Sequence, residues 1–169
     1  MSRSLVVMGV SGCGKSTLAA AVAAELALPL VEGDDHHAAA SRAKMSRGVA
    51  LTDADRDAWL GTLADVLRAR PEGLVLTCSA LKRGYRERLR AACAGVRFVF
   101  LELSFEEAHR RVAARAGSHF FAPELVADQF RTLEPPTAEP GVLCLDATAP
   151  LEDQTAQVVA WWRRALDER

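Results

Sequence analysis

The chain has 169 residues, of which 50% are hydrophobic and 25% charged, with a formal net charge of -1. That length predicts one domain with a single sizeable core, and the composition excludes a disordered or low-complexity chain. The near-neutral balance argues against a broad grip on nucleic acid, and no apolar run reaches the ~20 residues of a membrane helix, so neither partner is expected and the expected setting is cytoplasmic.

Leu5–Met8 is a short, continuously apolar run that stops at Gly9, which predicts a buried strand. Ser16–Ala27, rich in alanine and leucine, predicts a helix, and Leu28–Val31 a second strand ending at Gly33-Asp34. Asp34 to Asp53 is polar and shows no strand. Further strands are predicted at Leu74–Cys78, Arg97–Leu103 and Val142–Asp146, with helices at Asp53–Arg70, Lys82–Ala94, Phe105–Ala116, Pro123–Leu133 and Leu151–Asp167. The proline-rich stretch Leu133–Gly141 reads as an ordered loop. Continuous apolar strands separated by helices predict an α/β fold, a parallel sheet covered on both faces. Ligands of such sheets bind beyond the carboxyl ends of the strands, so Gly9, Asp34 and Ser79 are expected to converge on one crevice. Cys13, Cys78, Cys93 and Cys144 are too far apart for a zinc knuckle or a CxxC pair and read as small packed residues.

Gly9-Val10-Ser11-Gly12-Cys13-Gly14-Lys15-Ser16 matches the G-x-x-x-x-G-K-[ST] pattern between a strand and a helix, which is the context that gives it meaning. Its glycines let successive N–H groups turn inward onto phosphate oxygens, and the helix N-terminus adds its dipole. Gly9, Ser11, Gly12, Cys13, Gly14, Lys15, Ser16 and Thr17 are therefore the expected nucleotide-binding residues. Lys15 reaches the β- and γ-phosphates in this reading, and the Ser16 hydroxyl ligates Mg²⁺. No Asn-Lys-x-Asp motif of small GTPases is present, and the chain is short for a motor or transporter ATPase. A small-molecule kinase fits better.

The acceptor side is expected after strands two and three. Asp34, first after the glycine, suits a carboxylate that orients an acceptor hydroxyl and takes its proton, while Asp35 suits a helix cap. His37 reads either as a donor to substrate or as a surface histidine. Arg56 suits a bidentate partner for a substrate carboxylate, or a surface ion pair with Asp53 or Asp57. Asp53 reads as the cap of its helix, Trp59 and Leu60 as core, and Ser79 as the cap of the helix after strand three. Lys82 and Arg86 lie four apart, either an anion-binding pair facing the cleft or a solvated stripe, and Lys44 is an even choice. Arg111 and Arg115, another such pair, end a helix just before Gly117-Ser118-His119-Phe120-Phe121, where arginines can swing onto a transferring phosphate.

These residues together resemble the gluconokinases, small P-loop kinases that phosphorylate D-gluconate on its 6-hydroxyl. The resemblance runs from Leu5 to about Pro136. It rests on the phosphate loop, Glu32-Gly33-Asp34 with His37, Lys44-Met45, Asp53 with Asp55-Arg56 and Trp59-Leu60, Cys78-Ser79-Ala80-Leu81-Lys82 with Tyr85-Arg86, His119-Phe120, Gln129-Phe130 and Leu133-Glu134-Pro135. It implies an adenylate-kinase/shikimate-kinase-like five-stranded parallel sheet with helices on both faces and a small lid. One P-loop kinase domain then spans residues 1–169, with an acceptor-binding insertion at about 34–60 and a lid at about 116–123. The resemblance further implies ATP, Mg²⁺, a homodimer, and a sugar-acid site drawn from Asp34, His37, Lys44, Arg56, Lys82, Arg86, His119 and Gln129, with Arg111 and Arg115 on the phosphates. This chain departs from the family pattern at Ala38, Ser41, Ala50 and Asp128, and in a longer Arg115–His119 segment. A kinase for another hydroxy acid such as shikimate, or a nucleotide-dependent regulatory protein, are the competing readings.

Overall fold

The computed structural model describes residues 2–115 and 122–168. Strands β1 (Leu5–Met8), β2 (Leu30–Glu32), β3 (Val75–Thr77), β4 (Arg97–Glu102) and β5 (Val142–Asp146) form one parallel sheet in the order β2-β3-β1-β4-β5. Helices α1 (Lys15–Leu26), α2 (Ala39–Ser46), α3 (Asp53–Arg68), α4 (Arg83–Ala92), α5 (Phe105–Ala114), α6 (Leu125–Thr132) and α7 (Leu151–Asp167) complete the described elements, with a short 3₁₀ turn at Gly33–His36. The expected α/β class and its parallel sheet are what the structure has.

β1 is the central strand, and all four of its residues are fully buried. Its alternation sends Leu5 and Val7 into one core, with Leu18 and Val22 of α1 and Val158 and Trp162 of α7. Val6 and Met8 enter the other, with Trp59 and Leu63 of α3 and Leu89 of α4. The chain leaves β1 toward the α1 face and leaves β3 toward the α4 face. The loops after these two neighbouring strands therefore diverge, and a crevice opens between them. Gly33 keeps β2 close to β3 there, because a Cβ at this position would meet the Thr77 carbonyl oxygen at 2.1 Å.

Several local expectations are corrected. Asp34 to Asp53 is not irregular throughout: it contains the 3₁₀ turn and α2, which buries only Ser41 and Met45 and so has no apolar periodicity to read. The cap of α3 is Thr52 rather than Asp53, in a reciprocal capping box with Asp55. Lys82, not Ser79, precedes α4, and Asp35 lies inside the 3₁₀ turn. Cys13, Cys78 and Cys93 are buried, whereas Cys144 is exposed. No helix among the described residues is long and apolar enough to cross a membrane.

The largest correction concerns Arg86. Its side chain is fully buried and is not in the crevice. Its Nε donates to Glu139 at 3.1 and 3.0 Å, one Nη to the carbonyls of Ala80 and Leu81 at 2.7 and 3.1 Å, and the other to that of Glu134 at 2.9 Å. Arg90 adds a bond to Glu139 at 3.0 Å. The Arg86 guanidinium, and then Arg90, hold the Glu139 carboxyl below its usual range. This knot pins the turn after β3, where Ala80 adopts a left-handed φ of 46°. Removing one partner of such a pair leaves a buried charge without compensation. Glu139→Ala is expected to destabilise the fold by about 3 kcal/mol, read as a fall in the denaturation midpoint. An unchanged midpoint would show the knot to be dispensable.

Candidate active site

Gly14, at φ 95°, is the N-cap of α1, and this left-handed turn carries the chain from the phosphate loop into the helix. Lys15 Nζ curls back and donates to the carbonyls of Gly9 and Val10, both at 3.0 Å. The Ser16 hydroxyl donates at 3.0 Å to Glu32 Oε2, which also accepts from the Thr77 hydroxyl at 2.6 Å. The Gly9 N–H donates to the Ser79 carbonyl at 3.3 Å, tying the phosphate loop to the turn after β3.

Beside this loop lies a cleft lined by Ser11, Lys15, Asp34, His37, Met45, Ala50, Leu51, Arg56, Trp59, Ser79, Leu125, Asp128 and Gln129. The polar groups come from five places in the chain, and the apolar floor from α2, α3, α6 and the loop before α3. Asp34 is half exposed, and its Oδ1 lies 3.6 Å from His37 Nε2. The His37 ring is almost fully buried and stacks on Trp59 with centroids 4.2 Å apart. Trp59 in turn donates its indole N–H to the Gly33 carbonyl at 2.8 Å. Thus α3 fixes both the ring beside Asp34 and the backbone before it. Arg56 reaches Asp128 of α6 at 3.5 Å, and not Asp53 or Asp57. Gln129 Oε1 accepts from the Ser11 N–H at 2.6 Å, so α6 touches the phosphate loop itself.

Of the residues expected at the acceptor, the structure brings Asp34, His37, Arg56 and Gln129 into this cleft and leaves others out. Lys44 pairs with Asp55 at 2.7 Å, a contact that, with the Thr52 N–H, lowers the Asp55 carboxyl to about 2. Lys82 pairs with Asp53 at 3.1 Å. Hydrogen bonds from the Tyr85 hydroxyl and then Lys82 hold Asp53 below the ordinary carboxylate range. Arg111 bonds Glu107 at 2.9 Å and lies against the phosphate loop, donating to the Gly12 carbonyl at 3.2 Å and toward Ala147 at 3.4 Å. Arg110 and Arg111 lower Glu107 to about 2. Arg115 caps the C-terminus of α5 on the surface. Thr17 is exposed at the start of α1, and Ser41 is buried in α2 away from the cleft lining. His119 and the rest of residues 116–121 lie outside the described residues. Burial pushes the Cys78 thiol up to about 12, an inert position beneath the site.

Ser79 lines the cleft as its position after a strand led one to expect, whereas sequence reasoning missed Asp128 as a cleft residue and placed Trp59 only in the core. For Asp128, adjacency to Gln129 was the only hint.

A family model described as an AAA domain matches residues 5–136. The gluconokinase of Gluconobacter oxydans (strain 621H) is 47% identical over 137 residues, spanning 79% of this chain and 76% of that protein. The chain belongs to the gluconokinase family. The thermoresistant gluconokinase of Escherichia coli (strain K12) is 38% identical, across 91% of this chain and 90% of its own length. The crystal structure of a gluconokinase from Sinorhizobium meliloti 1021 superposes with a TM-score of 0.88 at 40% identity, over 98% of this chain and 94% of that one. The gluconokinase resemblance and the P-loop kinase fold read from the sequence are therefore correct.

Proposed function

We propose that the protein transfers the γ-phosphoryl group of ATP to the 6-hydroxyl of D-gluconate, giving 6-phospho-D-gluconate and ADP. The observation that carries this reading is a single cleft in which Lys15 and Ser11 of the phosphate loop face a half-exposed carboxylate, Asp34, and a largely buried guanidinium, Arg56. In-line phosphoryl transfer depends mainly on positioning and on neutralising charge. Lys15 leaves its loop carbonyls to meet the phosphates, and the loop N–H groups cradle them. Asp34 accepts a hydrogen bond from the acceptor hydroxyl and takes its proton, with His37 beside it held by Trp59. Arg56 binds the carboxylate at the other end of the acceptor. Arg111, already against Gly12, serves the phosphates with Arg115.

Mg²⁺ would be held through the Ser16 hydroxyl, where it neutralises phosphate charge. The hydroxyl and the Glu32 carboxylate, 3.0 Å apart, form the hard oxygen set that suits it. The domain in this reading is one P-loop kinase unit with its acceptor insertion at about 34–60 and its lid at about 116–123. A homodimer and a cytoplasmic setting belong to the same reading.

The test is ADP release with Mg-ATP in the presence of D-gluconate, shikimate, related sugar acids or no acceptor. Release that depends on D-gluconate is expected. Release with another acid alone, or release indifferent to any acid, would overturn the assignment. Arg56→Ala is expected to raise the KM for D-gluconate by about tenfold or more with a smaller change in kcat, as befits loss of a charge-assisted bidentate contact.

A further inference from the structure

The ion pair that Arg56 makes inside the cleft is a loose one. Its Nη2 is 3.5 Å from Asp128 Oδ2, at the outer limit of a hydrogen bond, and the contact is single rather than bidentate. The Arg56 side chain is 13% exposed and that of Asp128 26%, so solvent screens the pair only in part. Asp128 also has a second cation. Arg131, one turn further along α6 and well exposed, lies 3.9 Å from its Oδ1. The carboxylate therefore stands between two arginines and can release one while remaining paired to the other. Among the described residues the other carboxylate lining the cleft is Asp34, so an acid acceptor entering toward Arg56 meets the resident negative charge of Asp128 at that end.

We propose that Asp128 is a specificity-determining residue, whose carboxylate competes with that of the acceptor for Arg56 and so sets how tightly acids bind. The inference rests on the gluconate-kinase reading of the cleft and deepens it. Binding an acid requires Arg56 to exchange one carboxylate partner for another, and Asp128 to turn toward Arg131. The exchange discounts every anionic acceptor and leaves neutral polyols untouched, because like charges brought together in a partly buried site repel strongly. A positioning role for Asp128, holding Arg56 in its binding orientation, has the opposite sign. Removing the charge would then weaken acid binding.

The experiment compares the wild type with Asp128→Asn, which keeps shape and removes charge, and Asp128→Glu, which keeps charge and extends its reach. KM and kcat are measured for D-gluconate, for ATP, and for D-sorbitol as a neutral acceptor of the same length. The expected result is a fall of about tenfold in the KM for D-gluconate in Asp128→Asn, a rise in Asp128→Glu, and no change in the KM for ATP. The ratio of kcat/KM for D-gluconate over D-sorbitol rises in the first variant and falls in the second. Either variant suffices if the other does not fold. A KM for D-gluconate that is unchanged or raised in Asp128→Asn, or unchanged or lowered in Asp128→Glu, overturns the inference alone. Absence of any acid-dependent ADP release in the wild type removes the functional reading and this inference with it.

Discussion

Lys15→Ala is expected to lower kcat by about 10²–10³, the cost of removing one preorganised charge from a transferring group. It does so while leaving the thermal midpoint within a few degrees of the wild type. The two halves of that expectation have separate grounds. Lys15 is only partly buried and its ammonium is satisfied by two carbonyls of its own loop, so its loss leaves no orphaned charge in the core. In the proposed reaction the same ammonium neutralises phosphate charge in a dry site, where no other charged side chain of the loop can replace it. Lys15→Arg is expected to recover little, because a planar guanidinium does not fit a cradle shaped for a compact ammonium. Steady-state kinetics with a parallel melting curve decide the matter. A turnover equal to the wild type would remove Lys15 from the transfer step.

Asp34→Asn is the second large effect, a loss of about 10²–10⁴ in kcat, the usual range for a group that moves a proton in the transition state. The amide keeps the size of the carboxylate and its place at the end of β2, beside His37, but it cannot take a proton. The KM for ATP is expected to change little, because Asp34 lies on the acceptor side. Rapid-quench measurement of the transfer step separates chemistry from product release. A transfer rate within about twofold of the wild type would contradict the proton-accepting role.

The phosphate loop was legible because its physics is local. A strand, a glycine-rich turn and a helix that follow one another in sequence place their own N–H groups, whatever the rest of the chain does. Asp34 was legible for a related reason, since it lies in the turn just after a strand that pairs in parallel with β3. Arg86 was misread because i, i+4 spacing says that two side chains share a face, not which face is buried. Lys82 remains near the surface with Asp53, while Arg86 is swallowed by Glu139 from a loop 53 residues away. α2 was missed because it buries too few apolar residues to leave a period. The partner of Arg56 was misread because Asp53 and Asp57 are near in sequence and Asp128 is near in space, 72 residues on.

By itself, then, the sequence determined the parallel α/β sheet, the nucleotide loop and the strand ends at which an acceptor would meet it. These follow from continuous apolar strands, backbone turns and the shared direction of parallel strands. Only the tertiary structure decided which cations face the cleft and which are spent elsewhere. Lys44 and Lys82 are committed to Asp55 and Asp53, and Arg86 to the buried knot, while Arg56 alone among these four lines the cleft, opposite Asp128. Charges choose partners by distance and desolvation in the folded chain, and neither quantity is written in the order of the residues.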